Sequence, residues 1–372
     1  MPRTSRLFVG LMSGTSIDGV DAALVDIPPE GPLRTLARAS LPMPGGLRDS
    51  LTALALGKAT GDVLDAAGQA AVALSRLYAQ VVGRLLEGRD PKDIVAIGAH
   101  GQTVRHAPGR GYSLQLIDGA LLAELTGLPV VCDFRSGDIA AGGEGAPLVP
   151  AYHRAVFSDP AERRAIVNIG GIANISWLAG AEPVLGFDTG PGNTLLDGWC
   201  TRHRGLPFDE DGAWAASAAP DAHLLAALLS DPYFARPAPK STGRETFHLA
   251  WLAERGGPAG LDRLDPAVVQ ATLLELTARS IAQALAPLRP DAVLVCGGGV
   301  RNRTLLDRLR ALVAPARCES TESVGIDPQA VEASAFAWLA ARRIDRRPGN
   351  LPSATGARGE RVLGALYDTR PV

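Results

Sequence analysis

The sequence predicts two α/β domains of duplicated design. Strand-like and helix-like stretches alternate through the first part of the chain, and the alternation restarts near Ala165. Each run opens in the same way, with two apolar strands joined by a glycine-bearing turn. The length of 372 residues accommodates two domains at roughly 100–200 residues each. Hydrophobic residues make up 46% but aromatics only 5%, so both cores must be built mainly from Ala, Leu, Val and Ile.

In the first run, residues 7–12 and 20–26 read as strands around a turn at 13–19, where Asp18-Gly19 is a hairpin signal. Residues 28–46 are rich in Pro and Gly and read as loop plus an outer strand. Over 62–86, Val63, Ala66, Ala70, Leu74, Leu77 and Val81 recur at helical spacing. A buried strand is expected at 94–99, a helix at 115–125 and a strand at 129–132. In the second run, strands at 165–169 and 173–178 flank Gly170-Gly171. Helices are expected at 195–203 and 265–288, a buried strand at 291–296 and a last helix at 328–342. The basic cluster Arg342, Arg343, Arg346 and Arg347 reads as a solvated helix end.

Net charge is −2, which argues against a nucleic-acid or membrane-surface partner. No stretch approaches the roughly 20 apolar residues of a membrane helix. The N-terminal apolar run is too short for a signal sequence and leads straight into a glycine-rich motif. Cys132, Cys200, Cys296 and Cys318 lie far apart without a CxxC, so neither a zinc site nor a disulfide framework is signalled. A reduced cytoplasmic location fits this pattern.

Five glycine-rich or polar segments carry chemistry. In Gly14-Thr15-Ser16-Ile17-Asp18-Gly19, small residues let backbone N–H groups face an anion and the hydroxyls add donors. Asp18 would repel a bare phosphate but suits one carried with Mg²⁺, held directly or through water. An ordinary hairpin turn is the plain alternative. The motif is not a Walker A loop, because no GKS or GKT closes it, nor a Rossmann fingerprint, because it leads into a strand rather than a helix. Asn168 to Ile175, with Gly170-Gly171, forms a second tight hairpin, and one per half suggests a paired grip on a polyphosphate. In Gly186-Phe187-Asp188-Thr189-Gly190-Pro191-Gly192-Asn193, Asp188 at a strand end is a candidate general base, or else a turn cap. Gly297, Gly298 and Gly299 after a strand leave a flat surface for a base or ribose, and Asn302 doubles as a helix N-cap. Finally, His100 and Gln102, then Arg135 and Asp138, then 142–147 are polar loops suited to a hydroxyl- and carboxylate-bearing ligand.

Taken together, GLMSGTSIDGVD (10–21), GAHGQTVRH (98–106), DFRSGDIAAGGEGAPLVP (133–150), NIGGIANI (168–175), GFDTGPGN (186–193) and CGGGVRN (296–302) closely resemble the anhydro-N-acetylmuramic acid kinases. DEDG (209–212), KSTGRE (240–245) and GNLPSATGA (349–357) are similar to that family too, and the likeness runs in order over nearly the whole chain. The resemblance implies a two-domain actin-like (ribonuclease H-like) ATPase fold with a central cleft. The implied division is 1–150, 151–345 and a tail, 346–372, packing back on the first domain. It implies ATP and Mg²⁺ as cofactors, a small-molecule sugar as partner, and a homodimer as a possible assembly.

The implied reaction opens 1,6-anhydro-N-acetylmuramic acid with water and phosphorylates the freed O6, giving N-acetylmuramic acid 6-phosphate and ADP. The family's catalytic carboxylate falls on Asp188. ATP contacts fall on Gly14, Thr15, Ser16, Asp18, Gly19, Asp21, Asn168, Gly170, Gly171, Asn174, Gly190, Gly192, Asn193, Gly297, Gly298 and Gly299, with Asp18 nearest the metal. Sugar contacts fall on His100, Gln102, Arg135, Asp138 and Glu332. Two other readings compete: a kinase of the same fold acting on another sugar or anhydro-sugar, and a non-catalytic nucleotide switch of the actin or Hsp70 kind.

Overall fold

The computed structural model describes residues 5–14, 16–180, 182–238, 240–243, 246–257, 261 and 263–369. The chain divides into two compact units, 1–156 with 330–372, and 157–329.

The first unit begins with β1 (Leu7–Met12), β2 (Gly19–Asp26) and β3 (Arg34–Pro42), an antiparallel meander. Helices α1 (Gly45–Ala55) and α2 (Val63–Leu85) come next. Asp62 starts α2 by accepting from the amides of Leu64 and Asp65, donors that the first helical turn would otherwise leave unpaired. β4 (Ile94–Ala99) then runs parallel to β1. Residues 112–116, part of which the sequence assigns to a helix, are instead strand β6 (Tyr112–Leu116), hairpin-paired with β5 (Gln102–Ala107). The helix, α3 (Gly119–Thr126), begins only where Asp118 caps the amide of Leu121. β7 (Val130–Cys132) pairs parallel with β4.

The second unit repeats the plan. β8 (Arg163–Ile169), β9 (Ile172–Ala179) and β10 (Leu185–Pro191) form an antiparallel meander. Helix α4 (Thr194–Arg204) leads into a helical stretch, and α5 (Pro266–Leu285) crosses to β11 (Ala292–Cys296), parallel to β8. Helix α6 (Arg303–Val313), capped by Asn302 as its sequence indicates, joins β11 to the parallel β12 (Arg317–Ser320).

The expected second domain extends to 345, yet helix α7 (Val331–Ile344) belongs to the first unit. Gly10 in β1 and Gly98 in β4 are the reason. A Cβ on either would overlap a carbonyl oxygen of this helix, that of Ala333 or of Phe336, so the bare strands admit the helix backbone at close range. Arg342 and Arg343, expected at a solvated helix end, donate to the carbonyls of Pro348 and Gly364 and so hold the returning chain. That chain ends in β13 (Ala365–Tyr367), antiparallel to β7.

The sheet orders make the duplication explicit. The first is β13-β7-β4-β1-β2-β3 and the second β12-β11-β8-β9-β10. Without β13, both read fifth-fourth-first-second-third in local numbering, with the first three strands antiparallel and the rest parallel. This is the duplicated α/β architecture that the resemblance implies. All four cysteines are buried free thiols. Among the described residues, no helix is long and apolar enough to cross a membrane.

Candidate active site

In the second unit, strand register places Asn168 of β8 opposite Asn174 of β9, and Asn174 opposite Asp188 of β10. Residues directly opposite share a sheet face, so the three polar side chains form one row. Their neighbours Val167, Ile169, Ala173, Ile175 and Phe187 point the other way into the core. Asn168, Asn174 and Asp188 are half-buried. The sequence suggests a strand end at Asp188; β10 in fact runs on to Pro191, with an irregularity between Asp188 and Gly190 that bends the strand beside the carboxylate.

Beside this row, two glycine turns are laced together and a third packs against β8. The amides of Gly192 and Thr194 donate to the carbonyl of Gly171, at 2.9 and 3.1 Å, and that of Asn193 to Gly170 at 2.8 Å. The Thr277 hydroxyl donates to the Gly192 carbonyl at 3.0 Å. A side chain on Gly192 would overlap the Gly170 carbonyl oxygen, and one on Gly297 (φ 82°) would overlap Asn168 Oδ1. The structure thus brings Asn168, Gly170, Gly171, Gly190, Gly192, Asn193, Gly297, Gly298 and Gly299 to one end of one sheet.

Asp188 is held from its open edge. Its amide donates to the Lys240 carbonyl, its carbonyl accepts from the Tyr233 hydroxyl, and its Oδ2 accepts from the Thr242 amide, each at 2.9 Å. Burial, then the charge of Asp188, pushes the Tyr233 hydroxyl up, so it remains a donor. In the sequence, 240–245 stands out only for its likeness to a family. The role of Lys240 and Thr242 has no local signal, because it depends on chain more than 50 residues downstream lying along β10.

In the first unit, the turn 13–18 and the loop 100–102 are tied together. The His100 amide donates to Leu11, the Ser13 hydroxyl to the Gly101 carbonyl, and Gln102 Nε2 to the Gly14 carbonyl at 3.2 Å. Gln102 is 1% exposed, and its Oε1 has no protein partner. Asp21 lies on β2 opposite Met12, next to this turn. Thr15 lies outside the described residues.

Arg135 joins this group. Its Nη1 donates to the Gly145 carbonyl at 2.7 Å, and its Nη2 lies 2.8 Å from His100 Nε2. Burial, then the charge of Arg135, pulls the His100 pKa down to about 3. Burial alone pulls the Arg135 guanidinium down to about 10. Phe336 of α7 stacks on the His100 ring at 4.7 Å. Glu332 is one helical turn before Phe336, hence on the same stripe of α7.

Asp138 behaves differently from the other residues expected to contact the sugar. It is 0% exposed, and its carboxylate accepts from the Gly145 amide, Asn350 Nδ2 and the Thr355 hydroxyl. The structure places it beneath the loop that holds Arg135, as a fastener between 142–147 and the returning chain.

For Mg²⁺ the donor set is sparse but suitable. Among the described residues, no group of three or more His, Cys, Asp or Glu side chains could hold a metal. Asp18 is exposed, with Oδ1 accepting from the Ser16 hydroxyl at 2.7 Å. One exposed carboxylate matches Mg²⁺ that arrives with its waters on a polyphosphate.

A family model described as anhydro-N-acetylmuramic acid kinase matches residues 6–369. Proteins of that name are similar over nearly their full length. The one from Bordetella petrii is 53% identical, covering 98% of each chain, and that from Pseudomonas paraeruginosa is 52% identical, covering 99% of each. A solved structure of the (R)-2-hydroxyglutaryl-CoA dehydratase component A from Acidaminococcus fermentans is similar at 13% identity and a TM-score of 0.48, covering 90% of this chain and 99% of that one.

Proposed function

The chain belongs to the anhydro-N-acetylmuramic acid kinase family, and from that premise we propose how its own residues carry the reaction. The reaction is ATP-dependent. Water adds to C1 of 1,6-anhydro-N-acetylmuramic acid, the C1–O6 bond breaks, and O6 takes the γ-phosphoryl group. The products are N-acetylmuramic acid 6-phosphate and ADP.

Asp188 is the base that takes the proton from the attacking water. The amide hydrogen bond to its Oδ2 favours the charged carboxylate, the form a base requires. Asn168, Gly170, Gly171, Asn174, Gly190, Gly192, Asn193 and Gly297 to Gly299 hold the nucleotide. Gly14, Ser16, Asp18, Gly19 and Asp21 of the first unit would contact phosphate, and Asp18 would hold Mg²⁺. When bound, the metal offsets charge on the phosphoryl oxygens, while the turn amides position them.

His100, Gln102, Arg135 and Glu332 serve the sugar. The neutral imidazole leaves Arg135 its full positive charge, and among the described residues no carboxylate pairs with it. The lactyl carboxylate supplies that partner. Asp138 acts on the sugar only through the Gly145 loop. The buried free thiols accord with a cytoplasmic enzyme. A homodimer belongs to the same reading, and light scattering gives the mass that tests it.

The observation that carries this reading is the Asn168–Asn174–Asp188 row beside the laced turns. The test is ADP release by Asp188→Asn with anhydro-sugar present. Turnover should vanish while ATP and sugar still bind; a substantial rate removes Asp188 as the base. A panel of anhydro- and reducing sugars separates the muramic kinase from a kinase for another sugar. A nucleotide switch would release ADP slowly whether or not sugar is added.

A further inference from the structure

We propose that Lys240 is a positioning residue for the catalytic carboxylate: it pins the segment 240–242 along the open edge of β10, so that the Thr242 amide fixes the orientation of Asp188. The inference rests on the reading of Asp188 as the base and deepens it.

β10 is the edge strand of its sheet, next only to β9. An edge strand presents unpaired backbone groups and is free to shift. At Asp188 that edge is closed, because the Asp188 amide reaches the Lys240 carbonyl and the Thr242 amide reaches Oδ2. The brace therefore grips the backbone and the side chain of one residue.

Lys240 anchors the brace. Its side chain is buried, 9% exposed, and its ammonium donates to the carbonyls of Tyr233 at 3.1 Å and Phe234 at 3.2 Å. The ammonium also lies 4.7 Å from the centre of the Tyr233 ring. No carboxylate pairs with it among the described residues. Burying an ammonium without a carboxylate is unfavourable, and the site meets that cost with two carbonyls and a ring face. The same Tyr233 donates its hydroxyl to the Asp188 carbonyl. Lys240 and Asp188 are thus joined through both the brace and Tyr233. Lysine is rare in this chain, where arginine supplies most of the positive charge. A compact ammonium with three donors suits two carbonyls and a ring where a planar fork does not.

The test is Lys240→Met, which keeps the length and removes the donors. Loss of the brace should lower kcat by about tenfold or more with both KM values little changed, since a misaimed base affects the transition state rather than binding. Without the Thr242 amide the charged carboxylate loses a hydrogen-bond donor, so the acid limb of the kcat–pH profile should move up. Tyr233→Phe, which keeps the ring and loses the hydroxyl, should move kcat and the limb in the same direction by less. It serves as the measurement if Lys240→Met does not fold. A folded Lys240→Met, or failing that Tyr233→Phe, with wild-type kcat and limb overturns the brace. Asp188→Asn separates the two claims. If it is inactive while Lys240→Met is normal, only the brace fails; if it turns over, the base reading fails first.

Discussion

His100 accepts a hydrogen bond from Arg135, with Nε2 and Nη2 at 2.8 Å. A guanidinium has no acceptor, so the imidazole must offer its lone pair at Nε2 and carry its proton on Nδ1. The pair is therefore a neutral base orienting a cation, not two cations in conflict. Arg135 is aimed by His100 and the Gly145 carbonyl without being neutralised by either.

Arg135→Ala should accordingly weaken a carboxylate-bearing sugar more than one without it. A charge-assisted hydrogen bond contributes about 1.5–3 kcal/mol, which is roughly 10- to 150-fold in affinity. KM for anhydro-N-acetylmuramic acid should rise by that order. KM for the analogue lacking the lactyl group should change little, and KM for ATP should stay put. Equal losses on both sugars in steady-state ADP release would remove the carboxylate pairing.

The same burial makes stability depend on pH. His100 and His153 are both held at about pKa 3 in the fold, His100 by burial and then Arg135, His153 by burial, against 6.5 when unfolded. Below pH 6.5 the unfolded chain binds protons that the folded chain refuses, so stability is lost as pH falls from 6.5 towards 3. Each histidine contributes a slope of about 1.4 kcal/mol per pH unit in that window. Thermal melts at pH 7 and 8 should match, and those at pH 5 should be lower. His153→Gln should flatten the fall. A melting temperature that is flat down to pH 4 would contradict the buried, neutral assignment.

The glycine hairpins, the strand before Gly297 and the Asn302 cap depend on residues within a few positions of one another, so local sequence pattern reveals them. The Asp188 clamp and the Asp138 fastener do not. Asp138 meets Asn350 and Thr355 from more than 200 positions away, and an Asp in a polar loop looks like a ligand contact until those partners are seen. Helix α7 is assigned by sequence to the second half for a similar reason. Its apolar face is visible in the sequence, but the surface that receives it is defined by Gly10 and Gly98, which look like ordinary strand glycines. The β5–β6 hairpin is hidden because Tyr112 to Leu116 runs directly into a helix, and the Asp118 cap between them decides where one ends.

Gly298 offers a clean test of the surface proposed for the nucleotide. A Cβ there would meet Asn193 Nδ2 at 3.7 Å, an ordinary contact, and the residue needs no positive φ. Gly298→Ala should fold with stability within about 0.5 kcal/mol of the parent, as uncrowded substitutions do. If the flat face after β11 receives adenosine, the added methyl occupies ligand space. KM for ATP should then rise several-fold while KM for the sugar holds. Unchanged ATP binding by calorimetry would place the nucleotide elsewhere.

Gly98 tests the packing under the residues proposed for the sugar. A Cβ at this position would overlap the Phe336 carbonyl oxygen of α7, and a helix backbone cannot rotate aside as a side chain can. Gly98→Ala must lift α7 from β4, at a cost of about 3 kcal/mol by analogy with overpacked cores. The consequence extends to function, because Phe336 stacks on His100 and so sets the ring that orients Arg135. KM for the sugar should rise along with the loss of thermal stability, and KM for ATP should rise less. Gly68, inside α2, is the control. Nothing lies within 4 Å of its added Cβ, so Gly68→Ala should stabilise by about 0.5–1 kcal/mol through helix propensity alone. Equal melting temperatures for Gly98→Ala and the parent would show that α7 does not rest on β4 as closely as these glycines require.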